Sequence, residues 1–233
     1  MSLARGIETG IVASGPILEN FGHAKTRRNQ NSSRVGKFMT LDFSAAGRLT
    51  GAKVEQYLLE ISRVIGRHPN ERNFHIFYTL IYGLTEGERK RVGLRRPQDY
   101  EYLKHSDLSP VDEREEDDGR GIIKVQIFHK GTILLTLKTF KLQNALESLS
   151  LFDGAQERIF QKMAGILALG NIEFRDYRDQ AAVANPEWVD EAAFLLSISS
   201  KTLTTLLTEK SSRIGRKQGG ETLTRKLNIA QGW

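Results

Sequence analysis

The 233-residue sequence is 39% hydrophobic and 27% charged, a composition typical of a globular protein that is long enough to bury a core. It contains no cysteine, which excludes disulfides, thiolate metal sites and a cysteine nucleophile. No run approaches the ~18 consecutive apolar residues that a membrane helix needs, and residues 1–10 lack the apolar core of a signal peptide. The formal net charge of +6 favours an acidic partner, such as a nucleotide, a nucleic acid, an anionic lipid or an acidic protein surface.

The first 54 residues predict helices that lead through a polar loop into a pair of strands. Apolar residues at helical spacing indicate a first helix, and Ser14 followed by Pro16 signals the start of a second, which ends at Gly22. Strands are predicted for residues 38–43 and 49–54, joined by a short turn. A loop that runs directly into a strand is held at one end, so its side chains can be aimed.

The polar loop itself has the sequence NQNSSRVGKF, at residues 29–38. Its amides and hydroxyls can donate hydrogen bonds to phosphate oxygens, and a serine hydroxyl can also bind Mg²⁺ through its oxygen. Its arginine can pair with a carboxylate or neutralise developing charge. The alternative is an ordinary polar turn before a strand, because Ser, Asn and Gly are common in loops.

Residues 71–84 predict the clearest helix, with apolar residues repeating at three- and four-residue steps. His75 lies within it without a second ligand at metal-binding spacing, so a packed or hydrogen-bonded histidine is expected. Short helical pieces broken at Pro97 follow. The acidic run at residues 112–118 is interpreted as a solvated loop.

The second half predicts mainly helices. Residues 122–140 alternate like two strands around residues 130–131, and a helix is then predicted from Leu142. Another helix ends at Gly170 and precedes a short strand. Residues 188–207 indicate two helices, with Ser199 or Ser200 capping the second.

The final basic stretch, residues 212–228, has two arms around residues 219–220, which are both glycine, and therefore predicts a hairpin.

Several of these segments, in order and at about the same spacing, resemble the motor head of myosin. Residues 29–38 match the switch I pattern N-x-N-S-S-R-F-G-K-F everywhere except at Val35, and residues 16–26 resemble P-I-L-E-A-F-G-N-A-K-T. Similar motifs follow as GA at 51–52, YLLE at 57–60, SRV at 62–64, ERNFHIFY at 71–78 and LALGNI at 167–172. Nearly the whole chain except residues 121–140 is in register with the middle of that head.

The resemblance implies a mostly helical α/β fold, a fragment of the P-loop NTPase-type myosin motor domain. Residues 1–54 would supply the nucleotide-site helices, switch I and the strands after it, and residues 55–233 the helical upper, actin-facing subdomain. Residues 121–140 are an atypical insertion. They are either a true hairpin or a translated non-coding segment of a gene model, and the second is favoured because the family pattern resumes at Lys141.

The resemblance also implies an ATP and Mg²⁺ site. Its nucleotide-binding residues would be Asn29, Asn31, Ser32, Ser33 and Gly36. Asn29 would contact the phosphates, Ser32 the γ-phosphate and the attacking water, and Ser33 the Mg²⁺ ion. Arg34 would close over the site by pairing with a switch II glutamate, which makes Ser32 and Arg34 the catalytic pair. Val35 cannot supply aromatic packing, so closure is expected to be looser.

Two motifs of the family are not found in this sequence. It contains no G-x-x-x-x-G-K-[ST] phosphate loop and no D-I-x-G-F-E switch II segment. The chain is therefore expected to begin after the first and to end before the second. As an isolated polypeptide it is predicted to have no appreciable ATPase activity.

The resemblance places the basic hairpin on the surface that faces actin, whose myosin-binding side is acidic. The actin contacts would be Arg213, Arg216, Lys217, Arg225 and Lys226. A cytoplasmic, cytoskeleton-associated motor is expected, without light chains on this segment because it has no IQ motif. The alternative function is a non-catalytic basic module that binds actin or another polyanion. A nucleic-acid binder ranks third, because the basic residues lack interleaved aromatic side chains.

Overall fold

A computed structural model describes residues 4–104, 130–214 and 221–228. The chain divides into two compact units, Met1–Phe160 and Gln161–Trp233. About half of the described residues are helical, and each sheet among them is a two-stranded antiparallel pair.

The elements of the first unit are α1 (Ala4–Gly22), β1 (His23–Ala24), β2 (Ser32–Ser33), β3 (Gly36–Phe43), β4 (Leu49–Tyr57), α2 (Ser62–Ile65), α3 (His75–Gly83), α4 (Glu86–Arg91), α5 (Glu101–Lys104) and α6 (Lys130–Ser148). Helix α7 (Asp153–Leu169) contains the boundary between the units. The second unit continues with β5 (Phe174–Tyr177), β6 (Gln180–Val183), α8 (Pro186–Leu196), α9 (Ser200–Thr208), β7 (Glu209–Ile214) and β8 (Glu221–Lys226).

Helix α1 is continuous through Pro16, so the predicted start of a second helix at Ser14 and Pro16 is wrong. Proline has no N–H to donate to the carbonyl of Val12. Val12 is 75% exposed, so water can take the place of that donor. The Ser14 hydroxyl donates to the carbonyl of Ile11 (2.7 Å), and Asn20 Nδ2 donates to the carbonyl of Pro16 (2.8 Å). These local bonds support the helix around the proline.

Strands β3 and β4 form the predicted hairpin, in a register that runs from Gly36 opposite Tyr57 to Phe43 opposite Leu49. Both strands extend beyond the predicted limits. The turn closes with a hydrogen bond from Gly47 N to the carbonyl of Ser44 (2.9 Å), and Gly47 has a φ of 72°, which glycine tolerates best.

Helix α3 begins at His75, four residues later than predicted. Residues 72–74 are non-helical instead, because Arg72 N donates to the carbonyl of Lys25 (3.0 Å) and Phe74 forms an isolated bridge with Ala24. The predicted apolar face is confirmed as core: Phe74, Phe77, Tyr78, Ile81 and Leu84 are all at most 5% exposed.

Helix α6 corrects the strand prediction for residues 122–140. Residues 122–129 lie outside the described residues, but 130–140 are helical and continuous with the helix predicted from Leu142. Thr139 is 2% exposed and donates to the carbonyl of Thr79 in α3 (2.8 Å). Leu142 and Leu146 are buried on the same face. Packing of α6 against α1 and α3 therefore overrides an alternating pattern that local sequence alone favours.

The remaining helical predictions agree with the structure. Between residues 86 and 104 the chain forms α4, a 3₁₀ turn at Pro97–Asp99 and α5, with α4 begun by a Thr85–Glu88 capping box. In the second unit Ser199 caps α9, accepting a hydrogen bond from Thr202 N (3.0 Å).

Two strand predictions in the second unit agree with the structure, but the strands begin or end at other residues than predicted. The strand expected through Ile172 and Phe174 is β5, which starts at Phe174. The C-terminal hairpin is β7 paired with β8. Its predicted turn glycines lie outside the described residues. No helix in the described part of the chain is long and apolar enough to cross a membrane.

Candidate functional site

The polar loop is held by backbone hydrogen bonds to β1, which is itself bonded on its other side. In the β1–β2 pair, His23 lies opposite Ser33 and Ala24 opposite Ser32. Arg34 N donates to the carbonyl of Gly22 (2.8 Å). On its other side, Ala24 bridges to Phe74 just before α3. The loop, β1 and Phe74 therefore form a small extended layer with β1 in the middle and the loop at one edge. Strand β1 follows directly from α1.

The two serine hydroxyls already have hydrogen-bond partners. Ser32 Oγ lies 2.9 Å from Thr26 Oγ1, and Ser33 Oγ donates to the carbonyl of Val35 (2.9 Å). Because the Ser33 proton is directed to a carbonyl, both lone pairs of its oxygen remain free. Ser33 is exposed, so its oxygen is suited to act as one ligand of a hard cation such as Mg²⁺. No cluster of three or more His, Asp or Glu side chains that could hold a metal occurs among the residues described.

The two asparagines of the loop are also engaged. Asn29 Oδ1 accepts a hydrogen bond from Asn31 N (2.8 Å). Asn31 Oδ1 in turn lies 3.1 Å from His23 Nδ1 and 3.1 Å from His75 Nε2. The expectation that His75 is hydrogen-bonded is confirmed.

His75 is buried, and its environment keeps the imidazole neutral. Burial lowers its pKa to about 3, and the positive charges of Lys138 and Arg72 and the nearby His23 act in the same direction. A neutral imidazole whose Nε2 faces a carbonyl oxygen carries its proton on Nε2, so His75 is a hydrogen-bond donor to Asn31.

Arg34 pairs with a carboxylate within this chain. Its Nε donates to Glu60 Oε2 (2.5 Å), and Glu60 N donates to the carbonyl of Arg34 (3.0 Å). Glu60 also accepts from Arg63 Nε (2.8 Å). Partial burial opposes the charged form of Glu60, but the hydrogen bonds from Arg63 and Arg34 outweigh it and lower the pKa of the carboxyl.

Arg63 anchors this network from within the protein. Its side chain is 4% exposed, and Nη1 donates to Glu71 Oε2 (3.0 Å) and to the carbonyl of Arg72 (3.0 Å). Burial disfavours the cation, yet its hydrogen bonds to Glu60 and Glu71 prevail and raise the pKa of the guanidinium. Sequence reasoning missed Glu60, Arg63 and Glu71. The three-residue spacing of Glu60 and Arg63 was the only available signal, because Glu71 approaches only through the fold.

A cleft of about 660 Å³ opens beside this network. Its lining consists of Thr26, Arg27, Arg28, Arg34, Glu60, Arg63, His68 and Glu71. The two glutamates are already paired with Arg34 and Arg63. Arg27 and Arg28 are exposed and make no ion pair with any residue in the described ranges. The cleft therefore carries an excess of positive charge, which attracts anions.

Gly36 and Val35 have packing roles that the sequence did not reveal. A Cβ at Gly36 would overlap the Tyr57 ring, its partner across the β3–β4 pair. A Cβ at Gly22 would lie 2.5 Å from Val35 Cγ1, so the valine fits closely against the end of α1. A ligand contact by Gly36 remains a prediction.

The residues predicted to contact actin belong to the second unit. Arg225 and Lys226 are exposed in β8. Arg213 lies in β7 opposite Thr222, while Arg216 and Lys217 fall outside the described residues.

The family of this chain follows from its similarity to known proteins. The model of the myosin head (motor domain) family matches residues 2–232 of this chain. The chain belongs to the myosin head family. Its fold is accordingly that of the myosin motor domain, which is of the P-loop NTPase type.

Individual myosins are similar over most of this chain. Unconventional myosin-IXb of Rattus norvegicus is 36% identical over 90% of the chain, unconventional myosin-IXa of Homo sapiens 37% over 92%, and Myosin-1 of Pyricularia oryzae 37% over 97%. The matched segment is 10%, 8% and 17% of the length of these three relatives. This myosin head chain thus spans less than a fifth of each.

Proposed function

We propose that this chain contributes switch I and an actin-facing surface to an actin-based, ATP-hydrolysing motor. The observation that carries the proposal is the geometry of the polar loop: Ser32, Ser33 and Arg34 are consecutive, strand-anchored and next to a basic cleft. Membership of the myosin head family favours this motor over the stand-alone basic binding module.

In the proposed site, Ser33 supplies one oxygen ligand to Mg²⁺. When bound, Mg²⁺ would neutralise charge that develops on the transferred phosphate. Ser32 would exchange its hydrogen bond with Thr26 for one to a γ-phosphate oxygen. Asn29, already turned inward in the loop, would add an amide contact to the phosphates, with Asn31 and Gly36 completing the nucleotide-binding set.

Arg34 would act by changing partners. Glu60 holds it now, but Glu60 also accepts a hydrogen bond from Arg63 and therefore keeps a counter-ion when Arg34 leaves. Departure of Arg34 would then leave no carboxylate unpaired, which lowers the cost of closing over a nucleotide. The new partner would be a carboxylate on another segment of the motor, the switch II glutamate of the resemblance.

The same proposal divides the chain by role. Residues 1–54 would serve the nucleotide site, and residues 55–233 would form the helical upper subdomain that faces actin. Residues 121–140 remain an atypical insertion within it, although the part from residue 130 onward belongs to α6. Localisation with the cytoskeleton would follow from actin binding.

The nucleotide role is tested by comparing the purified chain with a longer protein that joins it to a phosphate loop and a switch II segment. The chain alone is expected to show no appreciable Mg-ATPase, and the longer protein an actin-activated activity. In the longer protein, Ser33→Ala and Arg34→Ala should each reduce the rate by about 100-fold or more, because positioning and electrostatics dominate phosphoryl transfer.

Gln30→Ala provides the matched control, since Gln30 belongs to the same loop but to none of the proposed contacts. It should retain the rate of the unmodified protein. Equal rates for all three variants would contradict the proposal, as would motor-like turnover by the chain alone or stop codons directly on both sides of it.

The actin surface is tested by cosedimentation of the chain with actin filaments at increasing salt. A double substitution of Arg225 and Lys226 by alanine should weaken binding and flatten its salt dependence, because exposed charges act through screened attraction. Lys201→Ala removes an exposed charge from α9 and serves as the control. Unchanged binding of the double variant would count against an actin-facing hairpin.

A further inference from the structure

Asn31 is held by two histidines that come from different parts of the chain. His23 is the first residue after α1, and His75 is the first residue of α3. Both ring nitrogens lie 3.1 Å from the same atom, Asn31 Oδ1. An amide oxygen has two lone pairs and can accept both hydrogen bonds at once.

Both histidines lie at the extended layer that β2, β1 and Phe74 form, His23 within it and His75 directly after it. His23 is opposite Ser33 in the β1–β2 pair, and His75 directly follows the Phe74 bridge to Ala24. The Asn31 side chain thus ties the loop to α3 across the strand between them. The backbone of Asn31 is fixed as well, through its N–H to Asn29 Oδ1 (2.8 Å).

We propose that His23 and His75 act as a positioning clamp on Asn31, which sets the place of the adjacent Ser32 and Ser33 hydroxyls. The inference rests on the proposed nucleotide role of those serines. It concerns residues that touch the loop rather than the ligand, so both histidines are positioning residues. The sequence predicted only that His75 is packed or hydrogen-bonded, and it predicted no role for His23.

The clamp requires a specific proton arrangement. To donate to one oxygen, His23 must carry a proton on Nδ1 and His75 a proton on Nε2. His75 is neutral in its buried site, so its Nδ1 must then be unprotonated. The two rings therefore hold opposite tautomers when both are neutral, which a merely space-filling role for these histidines does not require.

Fixing this amide matters because the next two residues carry the chemistry. A loop hydroxyl acts on phosphate only when it is held within a few tenths of an ångström of its working position. Backbone pairing fixes Ser32 and Ser33 against β1, and the clamp fixes the residue that precedes them. Without it, the half-buried amide of Asn31 loses the donors that hold it in one orientation.

The first test determines the tautomers in the full chain without nucleotide, by long-range ¹H–¹⁵N NMR at neutral pH. We expect a protonated Nδ1 on His23 and a protonated Nε2 with an unprotonated Nδ1 on His75. Exposed His68, which makes no such contact with any described residue, serves as the internal reference. A proton on Nδ1 of His75 instead of Nε2 would overturn the proposal.

The second test measures backbone hydrogen exchange in His23→Ala, His23→Asn and Gln30→Ala. His23→Ala should accelerate exchange at Asn31 and Arg34 by about five- to tenfold, the usual effect of losing one hydrogen bond. His23→Asn should restore protection, because the amide Nδ2 donates from nearly the position of an imidazole Nδ1. Gln30→Ala should exchange like the unmodified chain.

The amide of Leu84 in the same unit, which donates to the carbonyl of Leu80 (3.2 Å), reports on general stability. If His23→Ala accelerates Leu84 as much as Asn31, the histidine is only structural and the clamp is refuted; unchanged exchange at Asn31 refutes it as well. Neither measurement uses nucleotide. An intact clamp in a protein whose serines prove irrelevant to ATP turnover would therefore contradict the proposed function alone.

Discussion

Arg34 forms an ion pair with Glu60, yet it can leave this carboxylate without depriving it of its other cation. It shares Glu60 with Arg63, and Arg63 is fixed by Glu71 in the buried part of the unit. Since each of these four charged side chains has at least one partner of opposite charge, the network leaves none of them buried and unpaired.

Replacing Glu60 by glutamine should lower the free energy of unfolding by about 1–2 kcal/mol, a value kept small because the site is about one-third exposed. Chemical denaturation at neutral pH measures it. Glu55→Gln removes an exposed carboxylate from β4 and should change stability by less than about 0.5 kcal/mol.

The pH dependence provides a check on this substitution. The pKa of Glu60 is lowered in the folded state, so its contribution is complete above the ordinary value of 4.5 and is lost as the pH falls through the lower folded value. Glu60→Gln should remove that part of the acid sensitivity. If the variant lost as much stability at acidic pH as the unmodified chain, the pairing of Glu60 with Arg34 and Arg63 would be contradicted.

His75 adds a second pH dependence at the residue scale. Its pKa falls from 6.5 to about 3 on folding, with burial, Lys138, Arg72 and His23 all opposing the proton. The unfolded chain therefore binds the extra proton between these values, and stability that is complete above pH 6.5 decreases on acidification, by on the order of 4 kcal/mol at pH 3. Urea unfolding across this range measures it.

The variant His75→Gln should unfold more easily at pH 7 but lose much less stability between pH 6.5 and 4. His68→Gln, at an exposed position, should follow the unmodified chain. A His75→Gln variant with the same pH slope as the unmodified chain would show that this histidine is not buried in its neutral form.

At the scale of elements, α1 and α6 show where local signals are insufficient. Pro16 is a strong helix-start signal, yet α1 passes through it because the exposed turn at Val12 tolerates a missing hydrogen bond. The alternation in residues 130–140 predicts a strand, yet burial of Thr139 against α3 selects a helix. In both elements, packing of the whole helix outweighs a preference that acts over a few residues.

Pro16→Ala should stabilise the chain, because it restores an N–H donor in the interior of α1. The expected gain in the free energy of unfolding is roughly 1–3 kcal/mol, measured by thermal and urea unfolding. Pro97→Ala, at the first position of the 3₁₀ turn where no donor is needed, should not give this gain. A loss of stability in Pro16→Ala would show that the proline is required for packing.

At the scale of the whole molecule, the β3–β4 hairpin presents large apolar side chains to solvent. Phe38 and Phe43 are each 60% exposed, and Leu58 just after β4 is 85% exposed. Exposed apolar surface of this kind marks a place where other protein is expected to pack. In the proposed motor, further segments of the head would pack against this surface.

The isolated chain should therefore self-associate, and Phe38→Ser together with Phe43→Ser should reduce that association. Light scattering and binding of an apolar dye measure it, and stability should change by less than about 1 kcal/mol because neither ring is buried. Phe77→Ser, in the core of α3, should instead unfold the first unit. If the double variant associates as strongly as the unmodified chain, a surface other than Phe38 and Phe43 causes the association.

The sequence by itself determined the features that depend on neighbouring residues. Several motifs in order along the chain, with residues 29–38 among them, indicated the family, and residues 29–38 marked the polar loop. A cap at Ser199, a turn at Gly47 and the apolar face of α3 followed from local patterns. Each of these is encoded within a few residues, because hydrogen bonds in caps and turns and the helical period are short-range.

Only the tertiary structure decided what surrounds the loop. Glu60 pairs with Arg34, which lies 26 residues away in the sequence, and Glu71 pairs with Arg63, which lies 8 residues away. His75 contacts Asn31, which lies 44 residues away. No periodicity relates such positions. Their contacts exist because α1, the β1–β2 pair and α3 pack together, and this packing brings two histidines onto one amide oxygen and two arginines onto one carboxylate.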